Sequence, residues 1–344
     1  MKIIQTLLVL LGGLFPFMLN AGTTEDIYFS HIGMEDGLSH STIFAINQDK
    51  EGNLWFATYD GVNKYDGYNF TVYRHEYANP NSIASDITRC IAIDDSDQIW
   101  VGTREGLSFY NRRKNSFSNY YYKKNGINVP INSIAPIKEN WLMLGTAEGI
   151  LLFDIKKECF LNDTLPSLHL LKPTVLVRQG EYIYIGAEDG VYTYTLSGGK
   201  LERLVSMPAG IRIHAILCQM FSRIWMATEG DGLFMYDAKT KELKNYRYES
   251  EQSGLNSNYV RSLELDTENR LWVGTYSGLN IYKEATDNFS SIKSSEIQEG
   301  SLSQNSVRSI FKDSQGGMWL GTYWGGLNYY LFVIASSVSR MFLF

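Results

Sequence analysis

Cysteine is scarce, positive charge is in deficit and no apolar run is long enough to cross a membrane. Each shortage narrows what the chain can be. The three cysteines, Cys90, Cys159 and Cys218, follow no paired spacing and cannot all be bridged, which excludes a disulfide framework. Two of them, in "TRCIAI" and "AILCQ", sit within apolar runs, so unbridged, buried thiols are expected. The five histidines, His31, His40, His75, His169 and His214, show no metal-ligand spacing, and no metal or cofactor is expected. With 31 Lys and Arg against 37 Asp and Glu, a net charge of −6, the chain offers no basic face for nucleic acid. No arginine cluster stands out that would hold a carboxylated sugar.

The apolar run that does exist, Ile3 to Phe17, is about fifteen residues, short of the roughly 20 needed to span a bilayer. It follows Lys2 and leads to Leu19-Asn20-Ala21, whose small last residue suits signal peptidase. Residues 1–21 therefore read as a secretory signal, outside the fold.

What the chain has in quantity is aromatic residues, 14%, and 30 glycines, a composition suited to short packed strands joined by tight turns. One pattern recurs seven times: "LWFATYDGVNKY", "IWVGTREGLSFY", "LMLGTAEGILLF", "IYIGAEDGVYTY", "IWMATEGDGLFMY", "LWVGTYSGLNIY" and "MWLGTYWGGLNYY". Its tryptophan slot holds Trp55, Trp100, Met143, Tyr184, Trp225, Trp272 and Trp319, at intervals of 41 to 47 residues. That is the period of a four-stranded propeller blade. The expected fold is all-β, a seven-bladed β-propeller of four-stranded antiparallel blades over residues 22–331.

Each repeat divides into strands on physical grounds. An apolar strand precedes a turn, a strand through the tryptophan slot follows, then a Thr-x-x-Gly turn and a strand carrying an aromatic four residues after the Gly. A fourth strand such as "FTVY" ends the unit. Six residues before the slot stand Asp49, Asp94, Asp266 and Asp313, and three before it Gly52, Asp97, Asn269 and Gly316, which tolerate left-handed backbone. Recurrence once per blade assigns these acids to turn building rather than to catalysis or calcium binding. The segment Ile27 to Ile32 resembles a fourth strand and the seventh repeat lacks one. The N-terminus is thus expected to complete blade seven and seal the ring, with Phe29 beside the strand Gly326 to Tyr330.

The stretch from "GMEDGLSHSTIFAINQDKEGNLWFATYDGVNKY" through "IWVGTREGLSFY" resembles the two-component regulator propeller, and the resemblance runs from about Tyr28 to Tyr330. It implies the periplasmic sensor region of a hybrid histidine kinase from a polysaccharide-degrading Gram-negative bacterium. Such proteins carry a second propeller, an immunoglobulin-like domain, a membrane helix, a kinase and a response regulator, and pair as homodimers. None of these parts is found here. The tail at 332–344 breaks the repeat, contains Arg340 and reads as the product of a truncated gene.

Repetition also separates scaffold from specialised positions. Residues inside the Thr-x-x-Gly turn differ most between blades: Tyr59 and Asp60, Arg104 and Glu105, Ala147 and Glu148, Glu188 and Asp189, Glu229 and Asp231, Tyr276 and Ser277, Tyr323 and Trp324. Closure would bring the aromatics of blades six, seven and one together opposite an acidic arc. Aromatic faces pack on sugar rings, and carboxylates accept hydroxyl hydrogen bonds, so an oligosaccharide fits, or a periplasmic protein. The expected function is ligand sensing in signal transduction without catalysis. A secreted lectin or carbohydrate-active enzyme is the alternative, but a glycosidase needs paired carboxylates at unique positions, and here the acids recur as turn formers.

Overall fold

The computed structural model describes residues 27–331 except 139, 162–167, 169–170, 209, 221 and 251–253. The expected signal at 1–21, the tail at 332–344 and His169 lie outside the described residues. Seven four-stranded antiparallel sheets are arranged in a ring. Their innermost strands are Ile43–Gln48, Thr88–Ile93, Ser133–Lys138, Pro173–Gln179, Ile213–Gln219, Val260–Leu265 and Val307–Lys312, each packed against the next around the axis. A two-stranded hairpin, Lys123–Lys124 with Ile127–Asn128, decorates the connection from blade two to blade three.

The seam closes as the repeat pattern requires. Ser30–Ile32 pairs with Leu327–Tyr330, placing Ser30 opposite Tyr329 and Ile32 opposite Leu327. This strand is shorter than Ile27–Ile32 because the Phe29 amide leaves the ladder to donate to the Gly300 carbonyl at 2.8 Å. Phe29 is instead buried, its ring edge-on to Tyr330 with centroids 6.2 Å apart.

The core is divided into seven apolar clusters, one at each blade interface. Trp55 of blade one packs with Ile91 and Val101 of blade two, and Trp319 of blade seven packs with Phe56 of blade one across the seam. All five tryptophans in the slot are buried. Met143 fills the slot of blade three fully buried, and Tyr184 fills that of blade four partly.

The turn acids are joined to those tryptophans. In blade seven, Asp313 Oδ1 accepts from the amides of Gln315 and Gly317 at 2.9 and 2.8 Å, and its Oδ2 accepts from Trp319 Nε1 at 2.8 Å. Asp49, Asp94 and Asp266 repeat this geometry with Trp55, Trp100 and Trp272 at 2.9, 3.1 and 2.9 Å. One carboxylate thus satisfies the turn and the indole donor of a buried ring. In blade five Gln219 stands in, accepting from Trp225 at 2.9 Å. The tolerant positions adopt left-handed backbone, with φ of 63° at Asp97 and 61° at Asn269.

No cysteine is bridged. Cys90 and Cys218 are half-buried and Cys159 is exposed on the outer edge of blade three. Burial pushes the Cys90 thiol up to about 12 and that of Cys218 up to about 11.

Candidate functional site

In each blade the turn between second and third strands lies on the same side as the entry to the innermost strand, because successive strands run antiparallel. One face of the ring therefore gathers every Thr-x-x-Gly turn and the first residues of all seven inner strands. The turns are stiff: the Thr hydroxyl donates to the Gly carbonyl in six blades, at 2.9 Å for Thr58 and Gly61. At Gly61, φ is 88° and a Cβ would stand 2.2 Å from the Tyr73 carbonyl oxygen, so only Gly fits there.

Three of the four turn aromatics stand together. His40 lies between Tyr59 and Trp324, with ring centroids at 5.7 and 6.3 Å, and Tyr323 packs edge-on against Trp324 at 4.8 Å. Tyr59 also meets Phe44 at 5.1 Å. Tyr276 instead neighbours Tyr259, at 6.5 Å. Tyr59, Tyr276 and Trp324 are all exposed large aromatics.

The acidic turn residues are mostly engaged by cations on neighbouring strands and loops. Asp60 pairs with Arg74 at 2.9 Å, Asp231 with Arg247 at 3.0 Å, Glu148 with Lys124 at 2.5 Å, and Asp189 with Arg203. Glu105 accepts from Asn128 Nδ2 at 3.0 Å and, with Arg104, lines a cavity of about 590 Å³ beside the connection from blade one to blade two. Glu188 is exposed. Glu229 lies 3.5 Å from His214 Nε2 and 3.7 Å from Arg212.

At the axis the structure corrects the reading that no arginine cluster exists. A cavity of about 530 Å³ opens there, lined by one corresponding residue in or just before each inner strand: Phe44, Arg89, Asn132, Thr174, His214, Arg261 and Arg308. Arg212 adds a fourth guanidinium, and no Asp or Glu is among the lining residues. In six blades this residue sits at a shift in register between first and second strands, as between Val260 and Ser262 or Val307 and Ser309. A bulge leaves its extra residue out of the ladder and re-aims the side chain, here into the axial mouth. The residue after it is small where the facing strand carries Gly: a Cβ on Gly274 would stand 2.3 Å from Ser262 Oγ, and one on Gly321 2.4 Å from Ser309 Oγ.

The mouth is electrostatically strained. Burial, with Arg261 beside it, pulls the Arg308 guanidinium down to about 10, still charged at neutral pH; it rests over the Phe44 ring at 4.3 Å and the Tyr323 ring at 5.8 Å. Burial also pulls His214 below its usual range, against Glu229 and with the help of Arg261, Arg212 and Arg308, so it is neutral at pH 7. Arg261 Nε and His214 Nε2 are buried without a hydrogen-bond partner. The basic mouth and the aromatic group are continuous, since Phe44, Tyr59 and Tyr323 border both.

The two component regulator propeller profile matches this chain at residues 37–60, 254–277 and 301–324, in blades one, six and seven. The chain is 37% identical over 84 residues to histidine kinase P4 of Formosa agariphila, covering 24% of this chain and 6% of that one. Among solved structures it resembles the extracellular domain of the hybrid two component system BT3049 of B. thetaiotaomicron, with 28% identity, a TM-score of 0.71, and coverage of 88% of this chain and 42% of that one. The extracellular domain of BT4673 from the same organism gives 25% identity and a TM-score of 0.70, over 88% and 39%. Streptogramin B lyase shares the fold alone, at 11% identity and a TM-score of 0.67. The chain spans less than half the length of each of the signalling relatives. Seven blades in period, the profile matches and the extracellular relatives make this ring similar to the two component regulator propellers.

Proposed function

We infer that this chain is a periplasmic ligand-sensing propeller of a two-component receptor, binding an oligosaccharide or a periplasmic partner on the turn-bearing face without transforming it. The observation that carries the reading is the resemblance over 88% of the chain to the extracellular domain of a hybrid two-component system, with a cavity at the ring axis. A signal passes only if the ligand binds one receptor state better than another, which requires a defined site rather than a flat face. The aromatic group at Tyr59, Tyr323 and Trp324 suits sugar rings, and the cavity is within the size range of small-ligand sites.

The test is incubation of the purified protein with a panel of plant and host oligosaccharides, reading binding by calorimetry and the sugar by mass spectrometry. Binding with the sugar recovered intact is the expected result. New product masses would overturn the reading in favour of an enzyme.

A further inference from the structure

We propose that the axial mouth is an anion-recognition site, and that the ligand is an acidic sugar whose carboxylate or sulfate seats among Arg89, Arg261 and Arg308 while its ring lies against Tyr59 and Tyr323. The proposal deepens the sensing reading and rests on it.

Three observations carry it. First, a chain of net charge −6 concentrates four arginines around one cavity with no carboxylate in its lining. Like charges gathered in a partly buried space oppose one another and are held only where something else is gained. Second, the partners found for surface arginines are missing here. Arg74, Arg203 and Arg247 each pair with a turn carboxylate, whereas among the described residues Arg308 lies against aromatic faces, Arg261 keeps a buried Nε without an acceptor, and Arg89 donates to the neutral Asn132 Oδ1 at 2.6 Å. A guanidinium is a rigid donor fork matched to a carboxylate or sulfate, so an anion entering the mouth would supply the acceptors that the protein does not. Third, the bulges point these side chains inward from different blades. Convergence from separate strands defines a point in space rather than a charged surface. Phe44, Tyr59 and Tyr323 border that point, giving an apolar wall where a sugar ring would stack. Glu229, at 3.7 Å from Arg212 and 3.5 Å from His214, stands at one edge of the cluster and leaves Arg89, Arg261 and Arg308 without a carboxylate partner.

The experiment titrates the full chain with matched pairs: trigalacturonate against its methyl ester, and a carboxyl-reduced, monosulfated chondroitin disaccharide against its desulfated counterpart. The carboxylate and sulfate arms tell the two anion sources apart. At least one acidic sugar is expected to bind roughly ten- to a hundredfold more tightly than its neutral counterpart, the range for a charge-assisted pair. Rising salt should weaken it, and Arg261→Gln or Arg308→Gln should remove most of the difference between the acidic and the neutral form. Arg89→Gln, at an exposed side chain, repeats the test where folding is not at stake. Acidic binding that survives all three substitutions moves the site elsewhere and overturns the proposal. Neutral sugars that bind as tightly as acidic ones overturn it while leaving the sensing reading intact. If no sugar of either kind binds, the proposal fails together with the oligosaccharide form of the sensing reading, and only a periplasmic partner is left as the ligand.

Discussion

Trp319 and Trp324 stand five positions apart in one repeat and have opposite environments. The first is buried at the seam with its indole N–H held by Asp313, and the second projects from the turn, 62% exposed. Trp319→Ala should therefore destabilise the ring by roughly 3–5 kcal/mol in urea melts, as the loss of a large core aromatic does, while Trp324→Ala should leave the melt unchanged. Asp313→Ala should cost about 1–3 kcal/mol, because it strands a buried indole donor and two turn amides. Thiol chemistry orders the cysteines. Cys159 should react first with a disulfide reagent at pH 8 and Cys90 last, since burial pushes the Cys90 thiol up to about 12 and the thiolate is the reactive form. All three should react under denaturing, non-reducing conditions; detection of a single thiol would mean two are bridged.

Elements were legible to the extent that they repeat. Seven copies of one pattern made strand order, blade number and the closing strand readable, and the once-per-blade aspartates pointed to turns, although their second bond to the tryptophan was not foreseen. The axial ring escaped notice for a physical reason. Arg89, Arg261 and Arg308 are far apart in sequence and each looks like one polar residue in an apolar strand; only the bulge turns it to the axis. The signal was nevertheless present. The position before the small residue of each inner strand varies from Phe44 to Arg89, Asn132, Thr174, His214, Arg261 and Arg308, so the same between-blade comparison that singled out the turn would have found it. The acidic arc was read without Arg203 and Arg247, at or just after the fourth strands of the same blades, which pair with Asp189 and Asp231. The closing strand gives the test of this scale. A chain beginning at residue 34 exposes the edge of Leu327–Tyr330 and uncovers the core around Trp272, and should melt lower and self-associate with rising concentration in light scattering. An unchanged monomer would mean the strand is dispensable.

For the molecule as a whole, the axial charge cluster links stability, pH and ligand. Because His214 is held below its ordinary range in the folded state, the unfolded chain takes up a proton first as the pH falls. Stability attributable to this residue is therefore full above about pH 6.5 and is lost as the pH drops through that value toward the lower folded one. His214→Gln should flatten the pH dependence of the melting temperature over that interval. By the same logic, Arg261→Gln relieves repulsion in the unliganded ring and should raise its stability by about 1 kcal/mol even as it weakens binding of an acidic ligand. Gain of stability with loss of binding is the signature expected of a residue kept for its ligand, and a destabilised variant would mark Arg261 as scaffold instead.

The account turns on where a ligand sits, and hydrogen–deuterium exchange on the full chain, with and without the tightest-binding sugar of the matched panel, reads this directly. Protection is expected at the entries to the inner strands around Phe44, Arg89, His214, Arg261 and Arg308 and in the turns holding Tyr59 and Tyr323, residues that converge in space from five blades. Protection confined to the opposite face, at the turns built on Asp49, Asp94, Asp266 and Asp313, would contradict it.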